Sequence, residues 1–420
     1  MPRFFYTFLL YLALPFVPFK LYWRGLKQPE YWQHWGERFG QYQQSPSAPV
    51  IWLHCVSVGE THAAAPLIKT LKHTYPTHQI LITHTTPTGR AASVQLFGST
   101  VQRVYLPYDI PFAVRSFLKH FKPSIGLLME TELWFNLMAE SKKSGVPLLL
   151  LNARLSEQSA QGYAKLGKLV KNGLNTLSGV AAQTQADAGR LQRLGANDVN
   201  VAGNLKFDVT PPADSHDKGS ALRRLFSGSQ SGKPRPVFLA ASTREGEEAL
   251  ILEAVKDLDI LTIIVPRHPQ RFDEVAALIG QQKINYVRRS TLTAPIAKDT
   301  KVILGDSMGE LFTYYAACDF TFVGGSLLNF GGQNLIEAAM MGKPVLIGEH
   351  TFNFAEASKS AIESGAAIRV SNVKQLRQQI EVLRLGVDQR ERMHQAALAF
   401  SQSATGATNK MMTLIKAHLS

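Results

Sequence analysis

The sequence predicts an α/β protein made of two Rossmann-like domains. Three observations carry that expectation. Short apolar runs alternate with amphipathic stretches almost throughout the 420 residues, which is the βαβ rhythm of mostly parallel sheets with helices on both faces. The rhythm breaks once, at the Pro-, Gly-, Ser- and Asp-rich stretch 208–236, and then resumes; a linker around a short helix therefore separates two sheets. The length suits two or three domains of about 150 residues.

The first element is apolar. Phe4–Phe19 contains no charged residue. Sixteen helical residues reach about 24 Å, short of a hydrocarbon core of about 30 Å. Pro15 and Pro18 bend or end such a helix. Lys20, Arg24 and Lys27 follow the run, against Arg3 before it, so the positive side and the rest of the chain belong at the cytoplasmic face. No small-residue cleavage site follows. Residues 1–27 thus read as a membrane-associating helix anchored at the inner membrane, with a buried first helix as the plain alternative.

Apolar runs at 50–54, 79–86, 101–107, 124–130, 147–154 and 179–184 supply the strands of a first domain, 28–207. Amphipathic stretches such as 111–121 and 185–194 lie between them. Runs at 237–243, 260–267, 301–306, 319–325, 343–349 and 366–371 supply a second domain, 237–400. Residues 401–420 read as a last helix able to cross back to the first domain. Two such sheets face an inter-domain cleft, and ligands sit beyond the carboxyl ends of their strands.

Composition narrows the function. Lys+Arg 45 against Asp+Glu 32 gives a net charge of +13, which favours an anionic partner such as nucleic acid, acidic lipid or a phosphorylated substrate. A hydrophobic fraction of 45% excludes a disordered chain. Cys55 and Cys318 stand far apart, so neither a disulfide framework nor a zinc site is indicated. There is no metal-ligand pattern, no Walker A loop and no GxGxxG fingerprint, nor a nucleic-acid module.

The informative motifs lie where strands meet helices. In "HCVSVGE" (54–60) a strand ends, Ser57 and Gly59 make the turn, and a helix begins near Glu60. A helix N-terminus favours the ionised carboxylate, which can then accept a proton; the same dipole limits its basicity. A first-turn capping acid is an equally good reading. "METELWFN" (129–136) offers Glu130 and Glu132, and "TTPTGR" (85–90) offers Arg90, as candidates on an acceptor side; the two acids also fit a helix's first turn.

In the second half, "AASTREGEEA" (240–249) runs a strand into Ser242 and Thr243, good helix caps whose neighbouring amides suit a phosphate. "VPRHPQRF" (265–272) puts Arg267 and His268 at a strand end, and Arg grips phosphate or carboxylate with two bonds. "GDSMGELF" (305–312) is a glycine-flanked loop through Met308, Gly309 and Glu310, whose backbone can approach a ligand closely. "FGGQNLIEAA" (330–339) follows a glycine pair with Asn334, Leu335, Ile336 and Glu337. Asn334 suits a phosphate or sugar. Glu337, one turn later on the same face, suits a ribose diol.

Taken in order, "HCVSVGE", "METELWFN", "LNARLSE", "GNLKFD", "AASTREGEE", "PRHPQRF" and "GGSLLNFGGQNLIEAA" resemble the 3-deoxy-D-manno-octulosonic acid (Kdo) transferases of lipopolysaccharide synthesis. The resemblance runs from the N-terminal helix to about residue 350. Cys55, Arg244, Gln333 and Ala338 depart from the family pattern. The resemblance implies a GT-B fold and transfer of Kdo from CMP-Kdo to a lipid A precursor, lipid IVA, with Glu60 as the catalytic base. On that reading Ser242, Arg267, His268, Met308–Gly309–Glu310 and Asn334–Leu335–Ile336–Glu337 form the donor side. CMP-Kdo is a co-substrate, and neither a resident cofactor nor a metal is required. Other readings are a GT-B enzyme using a UDP-sugar, such as a lipid-linked N-acetylglucosaminyl transferase or a sugar-nucleotide epimerase, and a non-catalytic binder of anionic lipid. Net charge alone also permits a nucleic-acid binder.

Overall fold

The computed structural model describes residues 1–208, 210–227 and 235–419. The chain divides into an N-terminal unit, Met1–Asp208 with Thr405–Ser420, and a C-terminal unit, Val209–Ala404.

The N-terminal unit is built on seven strands: β1 Val50–His54, β2 Gln79–His84, β3 Gln102–Tyr105, β4 Pro123–Met129, β5 Leu148–Ala153, β6 Gly179–Ala182 and β7 Val199–Val201. Their order is β3-β2-β1-β4-β5-β6-β7, and the pairings are parallel. Central strands such as β1 are buried along their whole length, because helices cover both faces and the sequence reads as a continuous apolar run. Alternation still sorts the side chains. Val50 and Trp52 join one core with Phe117, Leu118 and Met138; Ile51 and Leu53 join the other with Leu67, Ile68 and Leu71. That second core also receives Met411, Met412 and Ile415 from helix Ala407–Lys416. The Asp208 carboxylate accepts backbone N–H bonds from Gly406 (2.6 Å) and Ala407 (3.2 Å), and a third from Thr408. It thereby holds the first turn of that helix.

The C-terminal unit repeats the plan with β8 Val237–Thr243, β9 Leu261–Pro266, β10 Tyr286–Arg288, β11 Val302–Leu304, β12 Phe320–Val323, β13 Val345–Ile347 and β14 Ala367–Arg369. The order is β10-β11-β9-β8-β12-β13-β14, again parallel. Of the stretch expected as a linker, residues 215–227 are helical; Leu222 and Phe226 are buried, and Arg223 bonds to Ala317 and Asp319 of the C-terminal unit. Residues 209 and 228–234 of that stretch lie outside the described residues.

Strands β7 and β10 were not expected from sequence. Each is three residues at an edge of its sheet with no buried side chain, so neither carries an apolar run or a period to read. Both sheets reverse their strand order beside the first strand, between β1 and β4 and between β8 and β12. Those are the places where doubly wound sheets open a binding crevice.

The N-terminal segment forms helices Arg3–Ala13 and Val17–Lys27 joined by a 3-10 turn, Leu14–Phe16. The sequence reading took residues 1–27 as one element that Pro15 and Pro18 bend or end. It continues because Pro15 and Pro18 occupy opening positions of successive turns, where no N–H is needed. Arg3–Lys27 is long and apolar enough to cross a membrane, with mean hydropathy 1.6 and only 6% of its apolar window buried. Its first turns are tied down: the Met1 amine donates to the Leu166 carbonyl (2.9 Å), Tyr6 to Asp109 (2.8 Å) and Thr7 to Asn136 (2.9 Å).

Candidate functional site

At the β1/β4 reversal of the N-terminal unit stand three carboxylates. β1 ends at His54, and Ser57 caps helix Val58–Ala63. The helix thus starts before Gly59, which lies in its first turn rather than in the connecting loop. Ser57 Oγ accepts from the Glu60 N–H (3.3 Å) and donates to Glu60 Oε1 (2.9 Å), while the Val56 N–H donates to Glu60 Oε2 (2.7 Å). The cap reading of Glu60 is therefore correct as local structure. It does not exhaust the residue, because Glu60 is buried at 8% exposure and burial raises its pKa, with the nearby Glu130 adding to the rise and the Val56 and Ser57 hydrogen bonds opposing it. The local donors at the helix terminus do oppose the rise, but desolvation of the charged form outweighs them.

Glu130 and Glu132 follow β4. Helix Phe135–Lys143 starts beyond them, so they are not its first-turn acids. That role falls to Asp109, whose carboxylate accepts from the Asn136 and Leu137 N–H groups (3.0 and 2.7 Å). Glu130 adopts a left-handed φ of 57°, uncommon outside glycine, and its N–H is fixed to the Leu151 carbonyl (2.9 Å). Burial, then the charges of Glu60 and Glu130, push Glu132 up to about 7. Beneath the site, His54 and His84 are fully buried, with Nδ1 against Thr83 and the Cys55 carbonyl. Burial lowers them to about 3 and 4, so both are neutral.

Arg90 stands apart from these acids, in helix Pro87–Phe97. It is paired with Glu37 at 3.0 Å and lies 5.1 Å from the centre of the Tyr105 ring.

At the β8/β12 reversal of the C-terminal unit the expected helix cap is corrected. Helix Glu247–Val255 begins later, with Gly246 as its cap. Ser242 instead takes a left-handed φ of 55°, and Thr243 donates to Glu248 (2.7 Å). One of the amides next to Ser242 and Thr243, that of Arg244, is filled from within. The Glu247 carboxylate, 0% exposed, accepts N–H bonds from Arg244 (2.9 Å), Gly325 (2.6 Å), Ser326 (3.0 Å) and Leu327 (3.0 Å). It straps the loop after β12 to the loop after β8. A Cβ on Gly324 would lie 2.5 Å from the Ser242 carbonyl oxygen, so only glycine fits that crossing.

Asn334 and Glu337 meet as their spacing suggests, at 3.1 Å, and Asn334 Oδ1 accepts the Ile336 N–H at 3.1 Å. Burial raises the Glu337 pKa, while the Asn334 hydrogen bond and the charge of Arg267, just after β9, lower it. Leu335 and Ile336 have fully buried side chains, which leaves their backbone alone for a ligand. The 308–310 loop precedes helix Leu311–Ala317. Met308 is exposed and Gly309 has φ 78°. Glu310 caps that helix rather than standing free, bonded to Ser307 and to Arg289 (2.8 Å). His268 is exposed beside Arg267.

Sequence reasoning missed Glu247 as the strap, because its partners lie about 80 residues away in sequence. Its placement at a strand–helix junction was the only signal.

Residues 33–209 match the family model described as 3-deoxy-D-manno-octulosonic-acid transferase (kdotransferase). The chain is 41% identical over 393 residues to a 3-deoxy-D-manno-octulosonic acid transferase of Bordetella pertussis, covering 90% of each. It is 37% identical to the Haemophilus influenzae enzyme of that name, covering 99% of each. Among solved structures, a glycosyltransferase from Rickettsia africae superposes with TM-score 0.58 at 16% identity, over 89% of this chain and 100% of that one. The last likeness concerns fold alone: the two parallel sheets form a GT-B architecture.

Proposed function

The chain belongs to the 3-deoxy-D-manno-octulosonic acid transferase family, and from that premise we propose that it moves Kdo from CMP-Kdo to a lipid A precursor, lipid IVA, with inversion and with Glu60 as general base. The observation that carries the reading is Glu60 itself. It is a carboxylate at the carboxyl end of β1, oriented by hydrogen bonds to both oxygens and made more basic by burial. Such a group removes a proton most effectively when its pKa approaches the working pH.

In this reading the N-terminal unit holds the acceptor. Glu60 takes the proton of an acceptor hydroxyl as that oxygen attacks the anomeric carbon of Kdo. The bond to CMP breaks on the opposite face, and the proton stays on Glu60 until solvent removes it. Glu130 and Glu132 orient sugar hydroxyls; Glu132, titrating near 7, can donate a hydrogen bond as well as accept one. The C-terminal unit holds the donor. Negative charge grows on the departing phosphate, where Arg267, Asn334 and the amides near Met308 and Gly309 supply fixed positive poles. Glu337 orients the ribose, with Ser242, His268 and Glu310 at the edge of the same site. CMP-Kdo is a co-substrate in this scheme, and Arg3–Lys27 keeps the enzyme on the cytoplasmic face of the inner membrane.

The test is Glu60→Gln. Mass spectrometry of products from CMP-Kdo and a tetraacylated lipid A precursor should report turnover lowered by about 10²- to 10⁴-fold, with CMP affinity held within about twofold. Near-normal turnover would remove Glu60 from the mechanism.

A further inference from the structure

Near the carboxyl end of β3, and apart from the carboxylates at Glu60, the N-terminal unit gathers cations that outnumber their counter-charges. Arg38 is buried at 4% exposure. Its Nη1 donates to the Thr85 carbonyl (3.0 Å), while Nε and Nη2 have no hydrogen-bond partner among the described residues. Its guanidinium lies 3.8 Å from the centre of the Tyr105 ring, and Arg90 lies 5.1 Å from the same ring. Arg103, two residues before Tyr105 and so on the same face of the strand, bonds to Ser93 (2.9 and 3.1 Å) and the Gly98 carbonyl. Neither Arg38 nor Arg103 has an ion-pair partner among the described residues. The one carboxylate in the cluster is Glu37, shared by Arg90 (3.0 Å), His34 (3.4 Å) and the Tyr105 N–H (2.7 Å).

Arginine does not shed its proton, so like charges packed this closely remain charged. Aromatic faces offset part of the cost. The remainder calls for an anion. A cavity of about 260 Å³ opens among these groups, lined by His34, Glu37, Arg90, Gln102 and Arg103. Its volume suits a phosphate with part of a sugar. Arg90 and Arg103 line it with the Glu37 carboxylate, and Arg38 behind Tyr105 brings the cluster's excess to two positive charges, the charge of a phosphate monoester dianion.

Two features connect this cavity with a lipid. Arg38 and Arg24 both approach the Tyr31 ring, at 5.9 and 5.5 Å, and Arg24 stands in the last turn of helix Val17–Lys27, which exposes Phe19, Tyr22, Trp23 and Leu26. The cavity runs along the outer edge of β3 beside Gln102, Arg103 and Val104, and its Arg90–Glu37 end, where Glu37 holds the Tyr105 N–H, reaches the strand end at which Glu60 follows β1. In the order β3-β2-β1 two strand spacings separate them, about 10 Å, which is the reach of a disaccharide.

We infer that the cavity bounded by His34, Arg90 and Arg103, with Arg38 behind Tyr105, seats a phosphate monoester of the lipid acceptor while its hydroxyl lies at Glu60. This rests on the acceptor reading proposed above. The test uses the full chain in detergent with Arg103→Gln, and with Arg90→Lys as a milder variant that keeps the charge but loses the two-bond grip. Inorganic phosphate is titrated by calorimetry. Separately, kcat/KM is measured with the phosphorylated acceptor and with the same lipid after phosphatase treatment. The seat predicts that Arg103→Gln weakens inorganic phosphate binding about tenfold or more. It also predicts that the preference for phosphorylated over dephosphorylated acceptor falls by a similar factor. Arg90→Lys should do the same to a smaller extent, and it decides the matter if Arg103→Gln fails to reach the wild-type melting temperature. Equal phosphate binding in wild type and variants overturns the seat. Weaker phosphate binding with an unchanged acceptor preference overturns the lipid assignment and leaves a site for a soluble anion. Should the chain transfer no Kdo at all, the acceptor reading fails, and the titration still reports on the seat.

Discussion

At Glu60 two physical effects oppose each other, and their balance sets the chemistry. A helix terminus with two donors stabilises the charge; burial beside Glu130 destabilises it. Burial prevails, so the carboxylate is a stronger base than an exposed glutamate while its hydrogen bonds still fix its aim. The sign of a substitution follows. Glu130→Gln removes a like charge and lowers the Glu60 pKa. A base must be ionised to act, so the acid limb of the kcat/KM profile should lie above the ordinary glutamate range in the wild type and move to lower pH in Glu130→Gln. An unmoved limb would detach Glu130 from the base. Glu60 was legible in the sequence because a strand, a turn and a cap are local patterns. Its raised basicity was not, because the helix terminus is written locally whereas burial and the Glu130 charge come from β4, some 70 residues onward.

At the scale of elements, long strands such as β1, β4 and β8 could be read directly, since five to seven residues of largely apolar sequence are a clear signal. The three-residue edges β7 and β10 gave none. The helix after β8 was placed too early because Ser242 and Thr243 look like caps, whereas Gly246 takes the cap with φ 85°. The reason is Glu247. It must reach across to Gly325, Ser326 and Leu327, a requirement set by topology rather than local propensity. Glu247→Ala would leave four N–H donors without their acceptor, three of them buried. It should destabilise the C-terminal unit by about 3 kcal/mol or more, measured by chemical denaturation, with loss of CMP affinity in parallel. A variant as stable as the wild type would show that the strap is dispensable.

At the scale of the whole molecule, the sequence conveyed two repeated α/β units and an apolar leading helix, because composition and rhythm are averaged over many residues. Removing residues 1–27 strips away the exposed apolar surface of Arg3–Lys27. The shortened chain should leave the membrane fraction and remain soluble in a flotation assay, and retention at wild-type levels would assign membrane binding to the basic surface instead. The N-terminal unit is also closed by residues from far along the chain: Ala407, Met411, Met412, Ile415 and Leu419 complete a core whose other buried members lie between Ile51 and Leu205. A polypeptide emerging from the ribosome therefore makes its first sheet long before it makes the helix that seals it. The usual vectorial order, first-made part folded first, is inverted here. The second half can finish while the first still waits, with one greasy face uncovered, for residues 407–419 to be made.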